Sequence, residues 1–187
     1  TKIWLTQTTS KYFYVTGVSG TTITVNGGTD YTVANAAITA PYFSNAATPF
    51  GFPHWFAYTP TWTNLTVGSA TQSFRFKITG KQVHVYGYIA LSASTVGSSP
   101  VFTTPTNLSS SYPVATNASP LGSAIYNDIG TQQYSGAVWT YSTTNQVQPI
   151  VLQTSGSNLL PSGLAVSVPF SFGNSDRMIF DFIYETA

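Results

Sequence analysis

Charge is what this sequence has least of: 6% of its residues are Asp, Glu, Lys or Arg, against roughly 25% in an ordinary soluble domain. Six basic and five acidic residues leave a net charge of +1, too little to build the positive field that a nucleic acid or an anionic membrane surface requires. Cysteine is absent, which removes disulfide staples and thiolate metal ligands. No apolar run is long enough to span a bilayer and no signal-peptide pattern is visible, so membrane insertion is not expected. The chain opens on Thr1 rather than Met, which points to a piece of a longer or processed chain.

Groups that could do chemistry are equally scarce. The carboxylates are Asp30, Asp128, Asp176, Asp181 and Glu185, and the histidines are His54 and His84. Catalysis needs such groups to converge. Asp176 and Asp181 are close in sequence, but five positions along an extended strand put them on opposite faces, too far apart for paired acid and base work. His84 sits among Tyr86 and Tyr88 and reads as a partly buried histidine satisfied by hydroxyls, while His54 has no companion ligand nearby. A nucleophile elbow, a phosphate-binding loop and a dinucleotide fingerprint are all missing. The expectation is a protein that is not an enzyme and carries no cofactor and no metal.

What the sequence does have is apolar and aromatic material: 42% hydrophobic residues, with 12 Tyr, 12 Phe and 4 Trp. That is ample for a sizeable core. No long stretch shows a 3.6-residue period, whereas short β-branched and aromatic runs punctuated by Gly, Pro and Ser are frequent. Lys11 to Val18, Thr21 to Asn26 and Asp30 to Val33 read as a small meander. Ser73 to Thr79, Gln82 to Leu91, Pro100 to Thr104, Gly136 to Ser142, Val147 to Gln153, Leu164 to Phe170 and Arg177 to Tyr184 read as further strands. Gly80-Lys81 closes a tight hairpin. Val83, Val85, Ile89 and Leu91 fall on one face of their strand, and Met178, Phe180, Phe182 and Tyr184 on one face of theirs. The fold expected is all-β: an antiparallel, jelly-roll-like β-sandwich head over 62–187, preceded by a small β-meander module over 1–48.

Between them, residues 49–61 are expected to form a Pro- and aromatic-rich linker without a regular ladder, since each proline removes a donor. The rings of Phe50, Phe52, Trp55 and Phe56 are too apolar to stay in water, and a partner subunit is the expected place for them. Ser92 to Gly130 is rich in Ser, Thr, Asn and Pro, and is expected to be loop with one strand at most. A ligand surface of stacking rings and amides is expected from Tyr126, Asn127, Asp128, Tyr134, Trp139 and Tyr141, where flat rings would meet the C–H face of a sugar and polar groups its hydroxyls. The competing reading makes Trp139 and Tyr141 core or subunit-contact residues. Recognition would then rest on neutral hydrogen bonds and stacking, and Arg75, Lys77 and Lys81 would matter only for an anionic ligand.

The opening string TKIWLTQTTSKYFYVTGVSGTTITVNGGTDYTVANAAITAPYFSNAATPFGFPHW, with its phrase Pro49-Phe50-Gly51-Phe52-Pro53, resembles a segment of tail-associated structural and receptor-binding proteins of tailed bacteriophages. YTPTWTNLTVG (Tyr58 to Gly68) and the hairpin from Phe74 to Val85 are similar to the start of the head domain in tail-fibre and tail-tip proteins. The resemblance covers about the first half of the chain and maps no sugar-binding residue onto it. It implies a homotrimeric, extracellular, virion-borne attachment protein that meets a bacterial surface polysaccharide or teichoic acid and sits beside other tail proteins. A purely structural virion component, such as a baseplate connector or decoration protein, is the alternative, as is a carbohydrate-binding module of a secreted bacterial protein.

Overall fold

The computed structural model describes residues 1–112, 119–141, 145–155 and 158–187, and the regular elements among them are strands. β1 (Lys2–Thr6), β2 (Ser10–Ser19), β3 (Thr22–Asn26) and β4 (Thr39–Ser44) form a small antiparallel sheet in the order β3-β2-β1-β4. The larger sheet holds β5 (Phe56–Tyr58), β6 (Trp62–Thr66), β7 (Thr71–Thr79), β8 (Gln82–Ala90), β9 (Thr95–Thr103), β10 (Pro120–Asp128), β11 (Gln132–Thr140), β12 (Gln146–Ser155), β13 (Asn158–Gly163) and β14 (Arg177–Glu185). Its order is β5-β7-β8-β14-β10-β11-β12-β9-β6, with β13 beside β12.

Strands far apart in that order nevertheless touch. Phe102 of β9 lies 5.1 Å from Phe180 of β14 and 5.8 Å from Phe74 of β7, and Trp62 of β6 lies 6.1 Å from Phe180 and 6.3 Å from Phe74. The sheet therefore curls over so that its two ends face each other across one core, as an antiparallel β-sandwich does. Period-two alternation drives this: Val83, Val85 and Ile89 on β8 and Met178, Phe180, Phe182 and Tyr184 on β14 all point inward and are buried. Each such side chain contributes roughly 1.5–3 kcal/mol relative to exposure. Gly87 of β8 leaves the seat of the Phe74 ring open, because a Cβ there would collide with that ring.

Four local expectations are corrected. Asp30 to Val33 is not a strand; Gly28, at φ 63°, turns the chain so that Thr29 N donates to Ala57 O at 2.8 Å while Ala57 N donates to Asp30 Oδ2 at 2.8 Å. The carboxylate thus serves as a clasp between the small sheet and β5. Ser92 to Gly130 contains two strands among its described residues, β9 and β10, rather than one at most. Their prolines sit where ladders tolerate them: Pro100 lies where the β6–β9 register shifts, and Pro120 is the first residue of β10 beside a bulge. Leu164 to Phe170 is a turn closed by the Ala165–Val168 bridge, although Leu164 and Phe170 still plug the core. The linker also departs from its expectation, since Phe56–Tyr58 forms β5 and pairs with β7, Phe56 opposite Phe76.

Aromatic packing joins the small sheet to the large one. Phe56 has the rings of Tyr14 at 4.9 Å, Phe52 at 5.6 Å, Tyr31 at 5.7 Å and Phe76 at 5.9 Å. Asn26 Nδ2 adds a hydrogen bond to Pro105 O at 2.7 Å. The expected subunit-contact role for Phe56 is therefore corrected, because its ring is fully buried within its own chain. Phe52 and Trp55 are half-buried against their own chain, and Phe50 stands free at 105% exposure.

Candidate functional site

The ligand surface expected on β10 and β11 does not assemble. Tyr126 is 0% exposed, and its hydroxyl donates to Ile150 O at 3.0 Å; burial holds that hydroxyl well above its ordinary pKa. It is a core residue and cannot meet a ligand. Tyr134, cross-strand from Tyr126, shares its face and stacks on Phe170 at 5.3 Å, with its hydroxyl taking a hydrogen bond from Gln132 Nε2. Asn127 projects to the other face, between Gln133 and Arg177. Asp128 closes the hairpin by accepting Thr131 N through its carbonyl at 3.0 Å. Trp139 lies five positions beyond Tyr134, about 17 Å along the strand, and pairs with Pro120 and Gln148. Tyr141 follows the end of β11. Six residues chosen for proximity in sequence are thus divided between two faces and two ends of a hairpin.

A denser constellation lies on the outer face of β7, β8 and β14. Because Phe74 and Phe76 turn inward, Arg75 and Lys77 turn outward, and the register sets Arg75 opposite Tyr86 and Lys77 opposite His84. The next strand places Asp181 opposite Tyr86. Just before β5, the chain brings Trp55 over this row. The Arg75 guanidinium carbon sits 5.0 Å from the centre of the Trp55 ring and 5.1 Å from that of Tyr86, and Lys77 Nζ sits 4.7 Å from Trp55. These are cation–π distances. His84 meets the Trp55 ring at 5.1 Å and reaches Asp181 Oδ1 from its Nε2 at 2.7 Å. His84 is therefore held by a carboxylate and a ring rather than by hydroxyls, and Asp181 is far from acting with Asp176. Asp176 is buried and accepts Ile129 N at 3.0 Å and Gly173 N at 2.6 Å, tying two turns together.

Chemically, this face offers rings beside fixed donors. Neither Arg75 nor Lys77 reaches a carboxylate among the described residues, whose ion pair is His84–Asp181. A guanidinium held by rings keeps its in-plane N–H donors for oxygen ligands. Ile179, Ile183, Ile125 and Tyr88 continue the same face with apolar area that is half-buried or exposed.

Beside it, a cleft of about 240 Å³ separates the small sheet from the end of β7 and is lined by Lys2, Tyr14, Phe52, His54, Lys77 and Thr79, among others. Lys2 is 7% exposed; its Nζ donates to Ala46 O at 3.1 Å and Ala47 O at 2.6 Å. Burial lowers its pKa from the ordinary lysine value. Three of the six Lys and Arg residues of the chain, and both its histidines, therefore border one surface strip.

Part of this strip could be read in sequence, since the Gly80-Lys81 turn fixes Lys77 opposite His84 and Arg75 opposite Tyr86. The arrival of Trp55 and Lys2 had no such signal, because both come from segments placed by tertiary packing. Comparison with protein-family models, curated proteins and solved structures finds no match for this chain.

Proposed function

We propose that this chain is a non-catalytic attachment protein of a tailed-bacteriophage tail, and that the outer face of β7, β8 and β14 holds a glycan of the bacterial surface. The observation that carries the reading is the Arg75 guanidinium, 5.0 Å from Trp55 and 5.1 Å from Tyr86. Rings with neighbouring fixed donors suit a sugar, which presents C–H faces for stacking and hydroxyls for hydrogen bonds. The carboxylates support the non-catalytic half: Asp30 and Asp176 are engaged by backbone N–H groups and Asp181 by His84. The bacteriophage origin rests on the resemblance of the first half of the sequence.

Homotrimeric assembly belongs to the same proposal. Tyr42, Phe43 and Phe50 leave large exposed rings along the small sheet and the segment after it, where a neighbouring subunit or another tail protein would cover them. Those same rings favour the second reading, a purely structural tail component. A screen of purified bacterial surface polysaccharides, with reducing ends measured in parallel, separates the readings. The attachment reading expects retention of at least one polysaccharide without release of reducing ends. Retention of none would leave the structural reading, and released ends would reject the non-catalytic one.

A further inference from the structure

We propose that the cleft between the small sheet and the end of β7 is a binding subsite for an anionic group, a phosphate or a carboxylate. The argument starts from Lys2. An ammonium has three N–H donors, and two of those on Lys2 go to the carbonyls of Ala46 and Ala47. The rings of Tyr14 and Phe52 are each centred 5.7 Å from its Nζ. Carbonyls and rings carry no net charge. None of the residues lining the cleft is an acid, whereas Lys77 and His54 line it with Lys2, and Thr48 and Thr79 add hydroxyls. A buried cation without a counter-charge is costly, so an anion entering here would gain two ammonium partners and supply the charge that the protein omits.

The cleft also opens where such a group would be delivered. Lys77 lines it and, through its contact with Trp55, borders the outer face described above. His54 lies 5.8 Å from Trp55, ring centre to ring centre, on the same approach. A polymer stacked on the outer face would reach the cleft with its next charged unit. The subsite itself rests on the cleft alone; its use for a surface glycan rests on the reading under Proposed function.

The test is a titration at constant ionic strength with glycerol phosphate, with glucuronate and with glucose, following backbone amide shifts by NMR. The subsite predicts saturable shifts confined to residues 2, 14, 47–54 and 77–79 with at least one of the two anions and none with glucose. Saturation by glycerol phosphate alone assigns the group to a phosphodiester polymer, and by glucuronate alone to an acidic sugar. Lys77→Gln, at a half-buried side chain, should weaken the binding by about tenfold, as expected for loss of a charge-assisted hydrogen bond. Lys2→Gln should abolish it, and the unshifted remainder of the spectrum verifies the fold of that variant. Absence of saturable shifts with both anions, or equal affinity in wild type and Lys77→Gln, overturns the subsite. A polysaccharide that still binds in that case leaves the attachment reading standing. Anion saturation without any polysaccharide ligand removes the attachment reading and keeps the subsite.

Discussion

Phe56 is the ring on which the two sheets meet, and its replacement by Ala measures how strongly they are joined. Its side chain is fully buried, with four aromatic neighbours whose centres lie 4.9 to 5.9 Å away. Two of those neighbours, Tyr14 and Tyr31, belong to β2 and to the turn after β3, Phe76 belongs to β7, and Phe52 lies between. Truncation removes the transfer energy of the ring and leaves a cavity that rigid β5 and β7 cannot close. The expected cost is about 3–5 kcal/mol, which at about 2–4 °C per kcal/mol for a chain of this size lowers the thermal midpoint by roughly 6–20 °C. Phe50, two residues before Phe52 and free in solvent, is the internal control: Phe50→Ala should stay within about 0.5 kcal/mol in the isolated subunit. Denaturant unfolding reads the energy, and limited proteolysis of residues 1–55 reads the loosening of the small sheet. A Phe56→Ala protein that melts with the wild type, or a Phe50→Ala protein destabilised as much, would refute the packing argument.

Burial holds the Tyr58 and Tyr126 hydroxyls well above their ordinary value and pushes Tyr184 up to about 12, against hydrogen bonds with Thr106 that lower it. Folded values above the unfolded one mean that this stability is whole below about pH 10 and is lost as pH rises through the raised values. Phenolate absorbance should therefore show these three tyrosines of 12 ionising only as the protein unfolds, and a titration complete before unfolding contradicts their burial. Tyr126→Phe should cost about 0.5–1.5 kcal/mol by removing the hydrogen bond to the Ile150 carbonyl while leaving polysaccharide affinity unchanged; a loss of affinity at full stability would restore Tyr126 to the binding surface. Wild-type protein should scatter light as a trimer at micromolar concentration and Phe43→Ser/Phe50→Ser as a monomer, and a monomeric wild type refutes the assembly.

How far the sequence could be read depended on whether the relevant partners were local. Alternation in Gln82 to Leu91 and Arg177 to Tyr184 grouped on one face each the side chains that the fold buries, because a strand with one core face must repeat every two residues. The same logic overlooked β5, whose three residues are too short for a period, and misread the Gly27-Gly28 turn as leading to a strand. Pro100 disguised the first half of β9 and Pro120 disguised β10, since a proline at a register shift or at a strand start looks like loop in one dimension. The site suffered most. Tyr126 looked like a surface ring because its segment is polar, yet the face it occupies depends on the phase of β10 and β11. Trp55, Arg75, Tyr86 and Asp181 belong to four separate segments, and only the register of β7, β8 and β14 and the path before β5 bring them together.

Affinity of wild type and Trp55→Ala for the polysaccharide retained in the screen, measured by calorimetry alongside their thermal midpoints, tests the central claim most directly. Trp55 is half-buried and holds Arg75 and Lys77 over its ring, so its removal takes away a stacking surface and frees both donors. The account predicts affinity lower by about tenfold, with Leu159→Ala, at an exposed side chain of β13, unchanged and both variants folded. Unchanged affinity in Trp55→Ala, or an equal loss in Leu159→Ala, would place the glycan elsewhere and contradict the account.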